Sequence, residues 1–281
     1  MSSTTGPAST TAQFVYMVPP DEGVRPYQHI NADPITGDRK RNFGREEKEV
    51  TIENLRGKED TVSLDTTGFQ YYKHASKHTA FLDDDEIRAE YYPESVELVK
   101  KLTGASRVVF FDHTIRRRKP GQIDDSPQTR QPVAQVHVDQ TIKSSIARVH
   151  RHLPADEVPG LLEKRFQIIN LWRPIEVPAL DWPLALCDYR SVNPTQDTFP
   201  VALIYPTHEG ETLGVRPKKD HRWKYLHGMT PDEVVLIKCF DSVQDGSVAV
   251  FTPHTGFQDP NAPADAPPRQ SIELRALVFY D

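Results

Sequence analysis

Apolar residues recur at every second position in many short stretches of the chain, which is the pattern of β-strands with one buried face. Most of these stretches lie in the second half, where polar segments rich in Gly, Pro and Asp separate them. Short strand-like pieces occur earlier, at 14–18, 49–52 and 69–72. The longer predicted strands are 107–113, 133–139, 166–172, 184–189, 201–205, 223–226, 234–240, 247–253 and 271–280.

Helical spacing of apolar residues predicts one helix over 84–103, and Gly104 follows it as a stop signal. Pro93 lies inside this pattern, so two shorter helices are the alternative. A short second helix is predicted by the apolar positions Ile142, Ile146 and Val149. About eight strands in the second half, with helices beside them, predict a mainly β protein with flanking helices. The expected core is a double-stranded β-helix of the jelly-roll or cupin-like type.

The length of 281 residues fits a single domain of this class. Residues 1–13 are rich in Ser, Thr and Ala and are predicted to form a disordered tail. The remainder, 14–281, is predicted to be one domain. Within it, 14–105 supplies N-terminal helices, strands and a lid, and 106–281 supplies the jelly-roll core.

The formal net charge of -6 argues against nucleic acid as a partner. The one basic run, 116–119, is interpreted as a solvated strand end or loop. Cys187 and Cys239 lie in apolar stretches and are predicted to be buried thiols, which favours a reducing compartment. The first residues do not resemble a secretory signal, and no apolar run reaches the roughly 18–20 residues that span a bilayer. We therefore expect a cytoplasmic protein that does not enter a membrane.

The stretch Val136-His137-Val138-Asp139 is the first candidate for chemistry. Residues two apart in a strand share one face, so His137 and Asp139 are able to bind one ion together. One more histidine would complete the two-histidine, one-carboxylate set of non-haem Fe(II) oxygenases, which leaves coordination positions open. A strand with a polar surface would produce the same spacing, and further features are needed to separate the two interpretations.

His254, at the end of Val250-Phe251-Thr252-Pro253-His254, is the candidate second histidine, because jelly-roll oxygenases carry their distal histidine at about this distance. A cationic residue is then expected shortly afterwards. Arg269 is the main candidate anchor for the far carboxylate of 2-oxoglutarate, and Arg275 is the alternative, since a guanidinium binds a carboxylate with two hydrogen bonds. Ser271 would add a hydrogen bond. Arg275 has a second interpretation, as an ion-pair partner of Glu273.

Several further motifs occur in a fixed order along the chain. They are Asn170-Leu171-Trp172-Arg173-Pro174, the stretches 183–188 and 223–225, and the segment from His254 to Arg275. Together they resemble the group that includes the fungal gibberellin desaturases and the bacterial 7α-cephem-methoxylases, over roughly residues 60–281. Fungal members of this group act in terpenoid, meroterpenoid, alkaloid and polyketide pathways.

The resemblance implies that His137, Asp139 and His254 bind Fe(II), and that 2-oxoglutarate and O₂ are co-substrates. It implies oxidation of a bulky apolar small molecule in secondary metabolism, by hydroxylation, desaturation, ring formation or endoperoxidation. It allows a homodimer. Further roles implied by the resemblance concern Asn170 and Trp172, as substrate contacts, and Arg173, as a contact of 2-oxoglutarate.

Two other functions stay open from the sequence. The first is a cupin-like metal-dependent dioxygenase or isomerase that does not use 2-oxoglutarate. The second is a non-catalytic jelly-roll protein that binds a sugar or a partner, which predicts no metal and no loss of function when His137 is changed. A serine hydrolase is disfavoured, because no Gly-x-Ser-x-Gly stretch occurs.

Overall fold

The computed structural model describes residues 6–281, and its strands form two sheets. The strands are numbered in chain order across both. The larger sheet contains β1 (Ser9–Val18), β2 (Tyr27–His29), β3 (Gly44–Asn54), β6 (His137–Val138), β8 (Leu184–Cys187), β9 (Thr198–Ile204), β10 (Glu209–Val215), β11 (Trp223–Tyr225) and β13 (His254–Gly256). In space these strands follow the order β1-β3-β11-β8-β13-β6-β10-β9-β2.

The smaller sheet contains β4 (Phe69–Lys73), β5 (Arg107–Arg117), β7 (Phe166–Pro174), β12 (Glu233–Asp241) and β14 (Gln270–Phe279). Its order is β4-β12-β7-β14-β5, and every pair is antiparallel. Every residue of β7 and β12 is buried. Packed layers cover both faces of these two strands, so the polar side chains among them need partners within the protein.

The two faces of the smaller sheet pack against different partners. One face packs against the larger sheet, where Ile168 and Val235 meet Leu186 and Leu226. The other face packs against helices, where for example Leu171 lies in one apolar cluster with helical residues. The prediction of a mainly β protein with flanking helices and a jelly-roll core is therefore confirmed.

The helix predicted over 84–103 is confirmed as one continuous helical segment. It consists of α1 (Asp84–Glu86), a π-helical turn (Ile87–Tyr91) and α2 (Tyr92–Thr103). Pro93 lies in the first turn of α2, directly after the π-helical turn, and this change of helical spacing accommodates a residue that has no N–H to donate. Gly104 ends the segment with φ 72°, a conformation that glycine adopts without strain.

The remaining helices are short. They are α3 (Ile142–His152), α4 (Val158–Leu162), α5 (Pro194–Asp197) and the 3₁₀ turns Glu59–Thr61, Pro127–Thr129 and Tyr189–Ser191. Among residues 6–281, no helix has the length and apolar character needed to cross a membrane.

Strand β1 corrects the predicted disordered tail. Its first part, 9–13, pairs with 49–53 of β3, so the prediction is wrong for these residues, whereas residues 1–5 lie outside the described part of the chain. Buried and exposed positions alternate along β1. The first two buried positions hold the small residues Thr10 and Ala12, which give no strong apolar pattern. β1, β3 and β4 belong to the same two sheets as later strands, so the predicted boundary at 105 does not separate a lid from the core.

Three strand predictions also change. Residues 247–253 form no strand, although Ala249, Val250 and Phe251 are buried. The strand predicted over 133–139 is reduced to β6, and β10 was not predicted because its sequence contains two glycines and two glutamates. The helix α3 is present as predicted, but Ile142 and Ile146 are exposed rather than packed.

Candidate metal centre

Two neighbouring strands of the larger sheet bring His137 and His254 together. β6 pairs antiparallel with β13, and His137 lies directly opposite His254 in this pairing. The centroids of the two imidazole rings are 4.4 Å apart. Asp139 follows His137 by two residues, so its side chain returns to the same side. One ligand atom from each of the three side chains lies within 4.8 Å of the others.

Backbone carbonyls orient both imidazole rings in the same way. The Nδ1 of His137 lies 2.8 Å from the carbonyl oxygen of Gln135, and the Nδ1 of His254 lies 2.9 Å from that of Thr252. A ring that donates from Nδ1 to a carbonyl turns its Nε2 outward. Both Nε2 atoms point at Oδ1 of Asp139, at 3.3 Å for His137 and 3.7 Å for His254.

The other carboxylate oxygen of Asp139, Oδ2, contacts side chains of the smaller sheet. Oδ2 accepts a hydrogen bond of 2.6 Å from Nδ2 of Asn170 and lies 3.6 Å from Nε of Arg275. Burial raises the pKa of Asp139, but contact with His137 and the charges of His254 and Arg275 outweigh it and hold the pKa well below its usual value. Asp139 therefore presents a single charged oxygen, Oδ1, to the point where both histidines converge.

Burial also acts on His254. It lowers the pKa of the imidazole, and the neighbouring ring of His137 lowers it further. A neutral ring is the form that binds a metal ion.

Arg275 is hydrogen-bonded to protein side chains, which argues against its prediction as an anchor of 2-oxoglutarate. Its Nη1 donates to Oδ1 of Asp112 and to Oγ1 of Thr114, both at 3.0 Å, and its Nη2 donates to Oε2 of Glu273 at 3.1 Å. Its Nε lies 3.6 Å from Oδ2 of Asp139, so carboxylates of the protein already balance its charge. The alternative interpretation, a pair with Glu273, matches the structure.

Arg269 differs from Arg275 in this respect. Its side chain is buried, its Nη1 donates to the carbonyl oxygen of Trp182 at 3.0 Å, and its Nε has no hydrogen-bond partner among the described residues. Among residues 6–281, no carboxylate lies within 4.0 Å of this guanidinium. Burial lowers the pKa of Arg269 to about 9, and the neighbouring charge of Arg116 contributes. The result is a buried cation that lacks an anionic partner.

Arg116 is a site residue that the sequence analysis missed. It was assigned to a solvated basic run, but it lines the cavity beside the triad, and its Nη1 donates to the carbonyl oxygen of Gln131 at 2.8 Å. It lies opposite Ser271 in the pairing of β5 with β14, and Ser271 is buried there. Strand alternation from Thr114, which contacts Arg275, would have indicated that Arg116 shares the same face.

The residues predicted on β7 divide between its two faces. Asn170 faces the triad, but Arg173 faces the helices, where its Nη1 donates to the carbonyl oxygens of His74 and Pro231 at 3.1 and 3.2 Å. The prediction that Arg173 contacts 2-oxoglutarate is therefore wrong. Trp172 belongs to the core between the sheets, and its ring lies 5.6 Å from the guanidinium carbon of Arg269.

A cavity of about 1100 Å³ opens from the triad. His137, Asp139 and Arg275 line it, whereas Asn170 and Trp172, which were predicted as substrate contacts, lie outside its lining, as do His254, Arg269 and Ser271. Its walls come from β5, from α3, from the chain between β9 and β10, and from N-terminal segments around residues 28–45. Two of the three candidate ligands, His137 and Asp139, thus lie at the boundary between the core and a space large enough for a drug-sized molecule.

Two histidines outside the triad, His113 and His152, have structural contacts instead. His113 accepts or donates a hydrogen bond of 2.9 Å with the hydroxyl of Tyr92, and His152 stacks on Phe111 at 4.8 Å. Both cysteines are buried and free, as predicted. Cys239 lies 3.8 Å from Oδ2 of Asp139, and burial raises the pKa of its thiol.

Comparison with known proteins agrees with this geometry. The model of the family described as oxidoreductase/YMDC permease-like domain matches residues 14–279. The hydroxylase/desaturase efuI of Hormonema carpetanum is 36% identical over 254 residues, which cover 83% of each chain. The Fe(II)/2-oxoglutarate-dependent dioxygenase nvfI of Aspergillus novofumigatus is 32% identical over 269 residues, 93% of this chain and 94% of that one.

A solved structure is also similar over nearly the whole chain. It is that of the iron and alpha-ketoglutarate-dependent endoperoxidase NvfI, which superposes with a TM-score of 0.84 at 29% identity and covers 97% of this chain and 98% of that one. The resemblance predicted from the sequence is therefore confirmed. The chain belongs to the oxidoreductase family whose curated fungal members are hydroxylase/desaturases and Fe(II)/2-oxoglutarate-dependent dioxygenases.

Proposed function

We propose that this protein is an Fe(II)/2-oxoglutarate-dependent oxygenase in which His137, Asp139 and His254 bind the iron. One observation carries the proposal: two Nε2 atoms and one carboxylate oxygen converge while backbone carbonyls hold both Nδ1 atoms. Two nitrogen lone pairs and an anionic oxygen repel one another unless a proton or a cation lies between them. A metal ion satisfies all three at once.

The donor set fits Fe(II) better than other common metals. Two imidazoles and one carboxylate on one side of the ion are the ligands of non-haem Fe(II) oxygenases, and they leave the opposite positions open. Here the open side faces the cavity, because His137 and Asp139 line it. Asn170 and Arg275 occupy Oδ2 of Asp139, which keeps the carboxylate a ligand through one oxygen only.

We propose Arg269 as the anchor for the far carboxylate of 2-oxoglutarate. Its support is the buried guanidinium with a free Nε and no carboxylate partner among the described residues. A bound carboxylate would supply the missing anion and accept two hydrogen bonds. Ser271 and Arg116 are the neighbours that would assist it.

When bound, iron and 2-oxoglutarate supply the oxidising chemistry with O₂, and the chain positions the substrate and excludes side reactions. The relatives act by different outcomes, as the names hydroxylase/desaturase and endoperoxidase state. We propose a bulky small molecule of secondary metabolism as the substrate, which the cavity of about 1100 Å³ is able to enclose. Two buried free thiols support a reducing, cytoplasmic location.

An anaerobic titration with Fe(II) and then 2-oxoglutarate tests the proposal. Chelation of iron by the 2-oxo acid is expected to give a weak visible charge-transfer band in the wild type. The band should be absent in His137→Ala and should need more 2-oxoglutarate in Arg269→Gln. His150→Ala is the matched control, because His150 is exposed on α3 and does not belong to the metal cluster.

The alternatives predict different results. Iron binding without a band would favour a cupin-like enzyme that does not use 2-oxoglutarate. Equal iron binding by the wild type and His137→Ala would contradict the metal centre itself. A titration of Arg269→Gln that matches the wild type would remove Arg269 as the anchor.

A further inference from the structure

Helix α3 presents a cationic face to the cavity. Ser145 and Val149 are buried on one side of the helix, and Lys143, Arg148 and Arg151 line the cavity on another. These positions are spaced by three to five residues, so they share a broad helical face. Since the formal net charge of the chain is -6, a basic lining does not follow from its composition.

Arg148 is the most informative of these residues. Its side chain is half-buried, with the guanidinium carbon 5.1 Å from the centre of the Phe111 ring. No carboxylate among residues 6–281 lies within 4.0 Å of it. The charge that most favours its ionised form is that of Asp112, which already binds Arg275. Burial partly excludes water from Arg148, and no anion takes its place. The charge is therefore costly, and the pKa of Arg148 is lowered.

Some of the other cations that line the cavity are paired with carboxylates, in contrast to Arg148. Arg39 and Arg130 both contact Asp124, at 2.7 and 2.8 Å. Arg117 contacts Glu176 at 3.1 Å. The protein thus neutralises some cavity arginines with its own carboxylates and leaves others without such a partner.

Further arginines without a carboxylate partner lie elsewhere in the cavity wall. Arg45 has one hydrogen bond, of 3.5 Å, to Oε1 of Gln135, and Arg41 donates to the carbonyl oxygen of Arg39 at 3.2 Å. The cavity is otherwise lined by many apolar side chains. Those that would contact the body of a ligand include Ile30, Phe81, Ile115, Leu203 and Tyr205.

We propose that the substrate carries a carboxylate or a similarly compact anionic group on an apolar body, and that Arg148 binds this group, with Arg151 and Lys143 beside it. The group would supply the anion that Arg148 lacks and would accept hydrogen bonds from its guanidinium. The assignment of this molecule as the substrate rests on the proposed function. The binding of such an anion in the cavity is independent of the proposed function.

The proposal separates two anion sites. Arg269 and Arg116, on β14 and β5, serve the co-substrate, whereas Arg148 on α3 serves the substrate. Two anions of one reaction then bind at different walls, which prevents one from occupying the place of the other.

A matched pair of fluorescent dyes tests the proposal on metal-free protein. The dye 8-anilinonaphthalene-1-sulfonate is anionic, and N-phenyl-1-naphthylamine has the same aromatic body without charge. We expect the anionic dye to bind the wild type about tenfold more tightly than the neutral one, as one charge-assisted hydrogen bond would give. Arg148→Gln should remove this preference without weakening the neutral dye, and Arg148→Lys should restore part of it.

Arg88→Gln is the matched control. Arg88 is also helical and lies 5.4 Å from the centre of an aromatic ring, that of Tyr92, but it does not line the cavity. This variant should bind both dyes as the wild type does. Melting temperatures of all variants exclude unfolding as the cause of altered dye binding.

The outcomes are decisive in both directions. Equal affinity for the two dyes, no binding of the anionic dye, or unchanged anionic binding in Arg148→Gln would overturn the proposal. Displacement of the dye by 2-oxoglutarate would also overturn it, because Arg148 would then belong to the co-substrate. Loss of the iron-dependent band with retained dye preference would contradict only the proposed function.

Discussion

Buried charged and polar side chains, together with partners nearer the surface, form two clusters along β7 and β12, and the two clusters are built differently. The first, which we call the paired cluster, consists of Asp65, Arg165, Gln167, Lys238 and Asp241. The second, which we call the metal-site cluster, consists of His137, Asp139, Asn170, His254 and Arg275. Both are linked to the same two central strands, because Gln167 and Asn170 lie on β7 and Lys238, Asp241 and Cys239 lie on β12.

In the paired cluster every charge has an opposite charge beside it. Lys238 has no exposed surface and lies 2.7 Å from Asp65 and 2.8 Å from Asp241. Asp241 also accepts hydrogen bonds from Arg165 and Gln167, each at 2.6 Å. Such a cluster is closed, since its charges and hydrogen bonds are satisfied by the protein alone.

In the metal-site cluster the protein satisfies only the outer atoms. Nδ1 of each histidine and Oδ2 of Asp139 have protein partners, whereas both Nε2 atoms and Oδ1 face one another at the edge of the cavity. The difference teaches that burial of charge does not mark a functional site. What marks it is a set of polar atoms that the protein holds in place and leaves for another group to satisfy.

The largest effect that separates the clusters is expected from Asp139→Ala. Loss of the only anionic ligand should abolish Fe(II) binding. The unfolding free energy of the metal-free protein should also fall at neutral pH, because the depressed pKa of Asp139 means that its charge stabilises the fold, although Asn170 keeps Glu273 and Arg275 keeps Asp112 as partners. Equilibrium dialysis with Fe(II) and urea denaturation measure the two quantities. A folded variant that binds Fe(II) as the wild type does would remove Asp139 from the metal site.

The next effect is expected from Lys238→Met in the paired cluster. This change leaves Asp241 buried with one fewer cation and should lower the unfolding free energy by about 3 to 5 kcal/mol, with iron affinity retained. Lys224→Met is the control, because Lys224 pairs with the partly exposed Glu53 and should cost no more than about 1 kcal/mol. Equal losses for the two variants in chemical denaturation would contradict the distinction.

A third prediction compares two amides on one strand. Asn170→Ala removes the hydrogen bond that orients Asp139 and should weaken Fe(II) binding about tenfold to a hundredfold. Gln167→Ala, also on β7, removes a hydrogen bond to Asp241 and should lower stability without changing iron affinity. Calorimetric titration under anaerobic conditions measures both affinities. The comparison fails if the two variants bind iron equally.

Local patterns in the sequence were sufficient for much of the fold and for the three candidate ligands. Alternation in a strand placed His137 and Asp139 on one face, and the apolar runs predicted β5, β7, β12 and β14. Pairing between distant strands was not readable in the same way. β1 forms because it pairs with β3, and its Ser, Thr and Ala residues alone favour no strand.

Errors at the site have a similar origin. Asn170 and Arg173 were both assigned to the pocket, although residues three apart in a strand point to opposite faces. Arg275 was a candidate anchor because its partners Asp112 and Thr114 come from β5, which lies far away in sequence. Arg116 was missed because the basic run that contains it resembles a solvated loop, whereas β5 continues as far as Arg117.

The smallest effect is expected at acid pH and again distinguishes the paired cluster. Burial raises the pKa of Asp241, but the hydrogen bonds and charges of Arg165 and Lys238 outweigh it, so the pKa in the folded protein is below its usual value. A depressed pKa contributes stability above the unfolded pKa, about 3.9, and that contribution is lost as pH falls from there through the folded pKa. Asp241→Asn should therefore flatten the fall in unfolding free energy below about pH 4.

Asp220→Asn, at an exposed carboxylate outside the cluster, is the control. It should leave that fall unchanged in denaturation measured at several pH values. An unaltered acid slope in Asp241→Asn would mean that Asp241 titrates alike in the folded and unfolded chain, and the paired cluster would then not owe its stability to that carboxylate.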